Sequence, residues 1–117
     1  GGEPTIRDDI LDVIRIAREE GYEHIQLNTN SVRAAFDPDF PKKIREAGSN
    51  VIYTSFDGPT PRSNPKNFWE VPAALENYKN APLGVVLVPT VIGGINDMYL
   101  GDIIKFGSIH DKDIKLC

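Results

Sequence analysis

Cysteine is almost missing from this chain: there is one, Cys117, and it stands at the carboxyl end. No disulfide framework can form within the chain, and no cysteine cluster can hold a metal by itself. Long apolar runs are missing too. The longest, from Val85 to Val88 and on to Ile92 around Pro89, is the size of a strand and far short of the roughly 20 residues of a membrane-crossing helix. The first residues have neither the basic region nor the apolar stretch of a signal peptide, so the expected compartment is the cytoplasm. There is no basic block either. Thirteen Lys and Arg against 17 Asp and Glu leave a net charge of -4, without the electrostatic footprint of a nucleic-acid binder. What is present is ordinary for a globular domain, with 40% hydrophobic and 26% charged residues in a length that suffices for one modest core.

Hydrophobic periodicity divides the chain into alternating units. Residues 6–20 read as an amphipathic helix, with Ile6, Ile10, Val13, Ile14 and Ala17 on one face, Thr5 as its cap and Gly21 as its stop. A short strand is expected at 24–27, closing on Asn28-Thr29-Asn30. A second helix is expected at 41–47, with Asp37 or Asp39 as cap and Gly48 as stop. The next strand, 51–56, ends at Asp57-Gly58, and residues 59–66 form an irregular loop rich in Pro, Ser and Asn. A third helix covers 69–80 with Pro72 in its opening turn. Residues 85–91 form a nearly all-apolar strand, as expected when both faces are buried. A fourth helix spans 97–106; beyond it, another strand from Ile114 and a ragged end stay equally open.

Strict alternation of helices and strands without a hairpin signal demands a parallel sheet with right-handed crossovers. The fold class expected is therefore α/β. Units of this length suit a β/α barrel or a doubly wound sheet. Three complete strands cannot close a barrel, so the expectation is part of one, truncated at both ends. The opening Gly1-Gly2-Glu3-Pro4-Thr5 points the same way. Glycines and a carboxylate before a helix look like a binding loop at a strand end, and a protein rarely begins inside one.

Each strand is followed by small or polar residues: Gly1-Gly2-Glu3, Asn28-Thr29-Asn30, Ser55 and Asp57, and Pro89-Thr90. Parallel α/β folds bind ligands at the carboxyl ends of their strands. Any one of these positions could be a simple turn residue, but the set together marks a site. Other candidates are weaker. Gly1-Gly2 is no GxGxxG fingerprint, and Gly93-Gly94 is too short for a phosphate loop. His24 and His110 lack ligand-spaced companions, and neither has a reason to join Ser55 and Asp57 in a triad. Phe68, Trp69 and Tyr78 read as packing residues on a helix.

Four of these segments carry a resemblance. Gly1-Gly2-Glu3-Pro4 resembles the GGEP motif of radical SAM enzymes, Asn28-Thr29-Asn30 the end of their next strand, and Ser55-Phe56-Asp57-Gly58 the end of the one after. Gly94-Ile95-Asn96-Asp97 is similar to the segment that follows a later strand. Each is weak singly, but four in order are specific. Within the superfamily, 1–9, 18–30 and 37–48 resemble the archaeal branch of tetraether lipid synthase and its methyltransferase-like relatives. The resemblance implies a partial β/α barrel and, as cofactors, S-adenosylmethionine and a [4Fe–4S] cluster. It implies that the backbone at Gly1 and Gly2, with Glu3 and Pro4, holds the amino group of the methionine moiety. Ser55 and Asp57 would meet the ribose or carboxylate, and Pro89, Thr90 and Val91 would lie beside the adenine. Asn28, Thr29 and Asn30 would face the cofactor or the substrate.

One departure bears on activity. The family holds its cluster with three cysteines, typically C-x3-C-x2-C, upstream of the GGE motif, and iron–sulfur iron requires thiolates. This chain lacks them. Residues 1–117 are thus expected to be an inactive fragment of one core domain, with the cluster ligands outside the chain. The intact parent would cleave S-adenosylmethionine reductively and abstract hydrogen from an unactivated carbon, with a small-molecule or lipid substrate and an electron donor as partners. The alternative is a non-catalytic half-barrel that binds a small molecule or a protein.

Overall fold

The computed structural model describes residues 2–110 and 114–116. In order, they form a 3-10 turn at Pro4–Ile6, α1 (Ile10–Glu19), β1 (Gln26–Thr29), α2 (Val32–Phe36), α3 (Phe40–Ala47), β2 (Val51–Ser55), α4 (Glu70–Tyr78), β3 (Gly84–Val88), a second 3-10 turn at Asp97–Tyr99, α5 (Leu100–His110) and β4 (Ile114–Leu116).

All strand pairs are parallel, and the sheet order β1-β2-β3-β4 follows the sequence. A doubly wound sheet reverses its order at a switch point, whereas a barrel adds each strand beside the last. The order matches a sector of a (β/α) barrel. Ile114 opens a strand, which settles the question left open at the chain's end.

Strand side chains alternate between two faces. Leu27, Ile52, Thr54, Val85 and Leu87 are buried, and the four apolar ones pack with Ile14, Ile44, Val71, Leu75 and Ile103 of the helices into the core. The opposite face carries Asn28, Tyr53 and Val86 in one register row.

The element ends depart from expectation in places. The first helix does not start at Ile6. The Glu3 carboxylate accepts from the Thr5 N–H and closes a 3-10 turn instead, so Ile6 is 79% exposed and the helix begins at Ile10. β1 lies two residues further on than expected, and β3 stops at Val88 because Pro89 has no N–H for the ladder. α2 went unread. It is only five residues long and is preceded by Ser31 at φ 65, a left-handed conformation that sequence does not announce for serine.

The amino-terminal edge of the sheet is held by Arg18. Its guanidinium donates to the carbonyls of Glu23 and Gly48 and to Asn50 Oδ1, which also accepts from the Ile25 N–H at 2.8 Å. Gly48, at φ 128, closes α3 with a backbone that glycine alone adopts readily, and a Cβ there would meet Arg18 Cβ at 2.9 Å.

Candidate functional site

At the carboxyl ends of the strands, a cavity of about 350 Å³ is lined by Gly2, Glu3, Asn28, Thr29, Asn30, Tyr53, Ser55, Lys66 and Val88. That volume falls within the ~300–1,000 Å³ of small-molecule sites. A larger hollow of about 750 Å³, lined by residues of the α4–β3 turn with Val51, Gly84 and Val86, sits at the opposite end of the strands. Ligands of parallel α/β folds bind at the carboxyl ends, so the smaller cavity is the candidate site.

Glu3 organises its wall. Glu3 Oε2 accepts from the Thr5 N–H at 3.0 Å, from the Thr5 hydroxyl, and from the Thr29 hydroxyl at 2.6 Å. Glu3 Oε1 accepts from the Asn30 N–H at 2.6 Å. A carboxylate offers about four acceptor directions, and Oε1, with one donor against the three on Oε2, keeps one open. The Thr29 hydroxyl in turn accepts from the Ser31 N–H at 3.1 Å.

Behind the cavity, the Ser31 hydroxyl donates to Thr54 Oγ1 at 2.7 Å and meets the Tyr78 hydroxyl at 2.8 Å. Burial pushes the Tyr78 phenol above its usual value; the Ser31 hydrogen bond pulls it partly back, and the Glu3 charge adds to the rise. A phenol whose folded pKa is raised keeps its full contribution below the unfolded value of ~10. Above that, the unfolded state ionises first and stability falls. The melting temperature is expected to drop as pH climbs past ~10, and Tyr78→Phe to flatten that limb. Identical alkaline limbs in melts of the two proteins would remove Tyr78 as the cause.

On the other side of the mouth, Asp57 Oδ1 accepts from the Thr90 N–H at 2.9 Å, and Lys66 Nζ stands 3.3 Å from Asp57 Oδ2. Lys66 is the cation among the lining residues. Its position depends on the turn at Gly58. A Cβ there would lie 2.1 Å from Ser63 Oγ and 2.5 Å from Ser63 Cβ, and Ser63 is the residue that closes the Thr60 turn. Gly58→Ala should cost about 2 kcal/mol, read as a lowered urea midpoint. Adding Ser63→Gly should recover part of the loss; no recovery would place the strain elsewhere.

Of the residues expected from sequence, Gly2, Glu3, Asn28, Thr29, Asn30 and Ser55 share the cavity wall. Pro4 sits in the 3-10 turn, Asp57 holds Lys66 and Thr90 at the rim, and Thr90 and Val91 are exposed beyond β3. Gly1 and Cys117 lie outside the described residues. Tyr53, Lys66 and Val88 were not expected. Two-residue alternation back from Ser55 could have found Tyr53; nothing in the sequence marks Lys66. Among the described residues, no group of three or more His, Cys, Asp and Glu could hold a metal ion, and no helix is long and apolar enough to cross a membrane.

The sequence profile of the Radical SAM superfamily matches residues 1–107. The 7,8-dihydro-6-hydroxymethylpterin dimethyltransferase of Methanocaldococcus jannaschii is 38% identical over 114 residues, 92% of this chain and 22% of that protein. The GTP 3',8-cyclase of Aquifex aeolicus is 33% identical over 113 residues, 91% of this chain and 34% of that protein. The Fe-coproporphyrin III synthase of Methanosarcina barkeri is 36% identical over 58 residues, 50% of this chain and 14% of that protein. The chain thus spans between 22% and 34% of the length of the first two relatives.

Proposed function

The chain belongs to the radical SAM superfamily, and from that membership we propose that it is the sector of the barrel that binds S-adenosylmethionine. The observation that carries this reading is the convergence of the Gly2-Glu3 loop and three successive strand ends on one cavity. The residues present suit the cofactor. Glu3 Oε1 has an acceptor direction open for an ammonium, and Lys66 brings a cation for a carboxylate. Ser55 and Asn28 offer polar groups for a ribose. Pro89, Thr90 and Val91, with Asp57 behind them, form the rim on which the adenine would rest. When bound, S-adenosylmethionine supplies the adenosyl and methyl carbons on which the family's chemistry runs.

The [4Fe–4S] cluster does not fit the residues of this chain, whose one cysteine falls short of the thiolates such a cluster needs. In this reading the cluster's ligands lie outside the chain, and the 117 residues by themselves bind but do not react. The protein to which they belong would abstract hydrogen from an unactivated carbon of a small molecule, with electrons from a separate donor. Between lipid chain coupling and methylation, the 38% identity to a pterin dimethyltransferase favours methylation.

The test is a titration of S-adenosylmethionine into the chain, followed by amide chemical shifts. Shifts should concentrate at Asn30 and Ser55. Lys66→Ala should weaken binding by roughly tenfold, since a charge-assisted hydrogen bond is lost. No saturable binding, or binding indifferent to Lys66 and Ser55 substitutions, would sink the proposal.

A further inference from the structure

Two buried asparagines beside the cavity hold the strand ends together in the same way. Asn67 Nδ2 donates to the carbonyl of Asn30 at 2.9 Å and to the carbonyl of Ser55 at 2.8 Å. Asn96 Nδ2 donates to the carbonyl of Asp57 at 2.8 Å and to the carbonyl of Thr90 at 2.7 Å. Asn30 directly follows β1, Asp57 lies just beyond β2, and Thr90 lies beyond β3. The backbone ladder pairs Thr29 with Thr54 and Ser55 with Val88 and stops there. Past that row, each side-chain amide spends both of its hydrogens across one gap between neighbouring strands. Together they continue the lateral bonding of the sheet to the level of the site.

From this geometry we infer that Asn67 and Asn96 are positioning residues for the ligand held at the strand ends. Asn67 fixes the spacing of Asn30 against Ser55, and Asn96 fixes that of Asp57 against Thr90. Asn96 also serves its own turn, where its Oδ1 accepts from the Ile92 N–H at 2.6 Å, but in both residues the amide hydrogens go to the strand ends. Both are essentially inaccessible to solvent, and among side chains of this length only asparagine offers an –NH2 that can bridge two carbonyls. Aspartate has no donor when ionised, and serine has a single short one. Asn67 Oδ1 is buried with no partner among the described residues. A buried amide with one end orphaned is a poor device for stability alone. Its use is in its two donors, both of which point at strand ends.

The ligand arm of this inference rests on the proposed binding of S-adenosylmethionine; the strand-end arm does not. Asn77 serves as the control. Its Nδ2 donates to the Ala34 carbonyl at 2.7 Å, joining α4 to α2 on the outer side of the sheet. The experiment compares Asn67→Ala, Asn96→Ala and Asn77→Ala with the unaltered chain by amide hydrogen exchange without ligand and by S-adenosylmethionine titration. Asn67→Ala should speed exchange at the Asn30 and Phe56 amides by roughly tenfold, and Asn96→Ala should do so at Thr90, while Tyr53 inside β2 stays protected. Each should weaken S-adenosylmethionine by a similar factor, whereas Asn77→Ala changes the melting temperature and leaves both readouts alone. If Asn67→Ala does not fold, Asn67→Ser keeps one donor and should give a smaller loss in the same places. Unchanged exchange at the strand ends would overturn the inference, as would an Asn77 variant that weakens the ligand equally. Should the unaltered chain bind no S-adenosylmethionine, the functional reading falls and the exchange data alone decide the positioning role.

Discussion

Glu3→Ala is expected to lower the melting temperature by roughly 10–20 °C and to abolish binding in the strand-end cavity. The Glu3 carboxylate accepts from the Thr5 N–H, the Thr5 and Thr29 hydroxyls and the Asn30 N–H. Thr5 and Thr29 are 3% and 6% exposed, so their freed donors have no water to turn to. Leaving buried donors opposite nothing costs about 3 kcal/mol. Shape suffers with energy. Residues 3 and 29 are joined through this carboxylate, which is the tie between the amino-terminal loop and the end of β1 among the described residues. Glu3→Gln keeps one acceptor but places an amide where Thr5 and Thr29 donate, so it should fall between the two. Thermal melts by circular dichroism, read beside a ligand titration, check both. An alanine variant that melts with the parent would show that the loop is held by something else.

The other large effect is expected in the core. Phe56 is 1% exposed, stacks on Phe106 with ring centroids 4.3 Å apart, and sits between Ser55 and Asp57. Its own N–H donates to the Val88 carbonyl at 3.2 Å, the last backbone bond between β2 and β3. Phe56→Ala should cost ~3–5 kcal/mol through lost burial and the cavity left behind. A domain of this size has about 5–15 kcal/mol in total, so the variant should lose most of its cooperative transition. Phe56→Leu retains most of the volume and should cost about 1–2 kcal/mol. Urea denaturation followed at two wavelengths measures both. A loss below about 1 kcal/mol in the alanine variant would mean that the ring pair contributes little.

Much of this architecture is legible in the sequence, and the parts that are not share a physical cause. The alternation of helix and strand follows from the apolar run around Val85 and Leu87 and from the helical spacing of Ile10 and Ile14, all of them buried. Membership in the superfamily follows from four short segments in order. Ile6 misleads because its apolar side chain fits the helical repeat, while the contact that prevents a helix there comes from the Glu3 side chain reaching Thr5. The site is half legible. Glu3, the 28–30 segment and Ser55 lie where a strand meets its loop, a position that periodicity can find. Lys66 and Asn67 act across gaps of 9 to 37 residues, and no local pattern encodes such a reach; Asn96 stands in the 94–97 segment that carries the resemblance, but its bonds 6 and 39 residues back are not written there.

Each asparagine bridge runs backward along the chain. Asn67 joins the ends of β1 and β2, both already synthesised when residue 67 appears, and Asn96 does the same for β2 and β3. Domains begin folding from the amino end during synthesis. The rim is therefore built with a lag: β1 and β2 can pair on the ribosome before the residue that trues their ends has emerged, and β3 waits likewise for residue 96. A nascent chain that has emerged from the ribosome as far as Val88 can pair three strands with only the first gap laced.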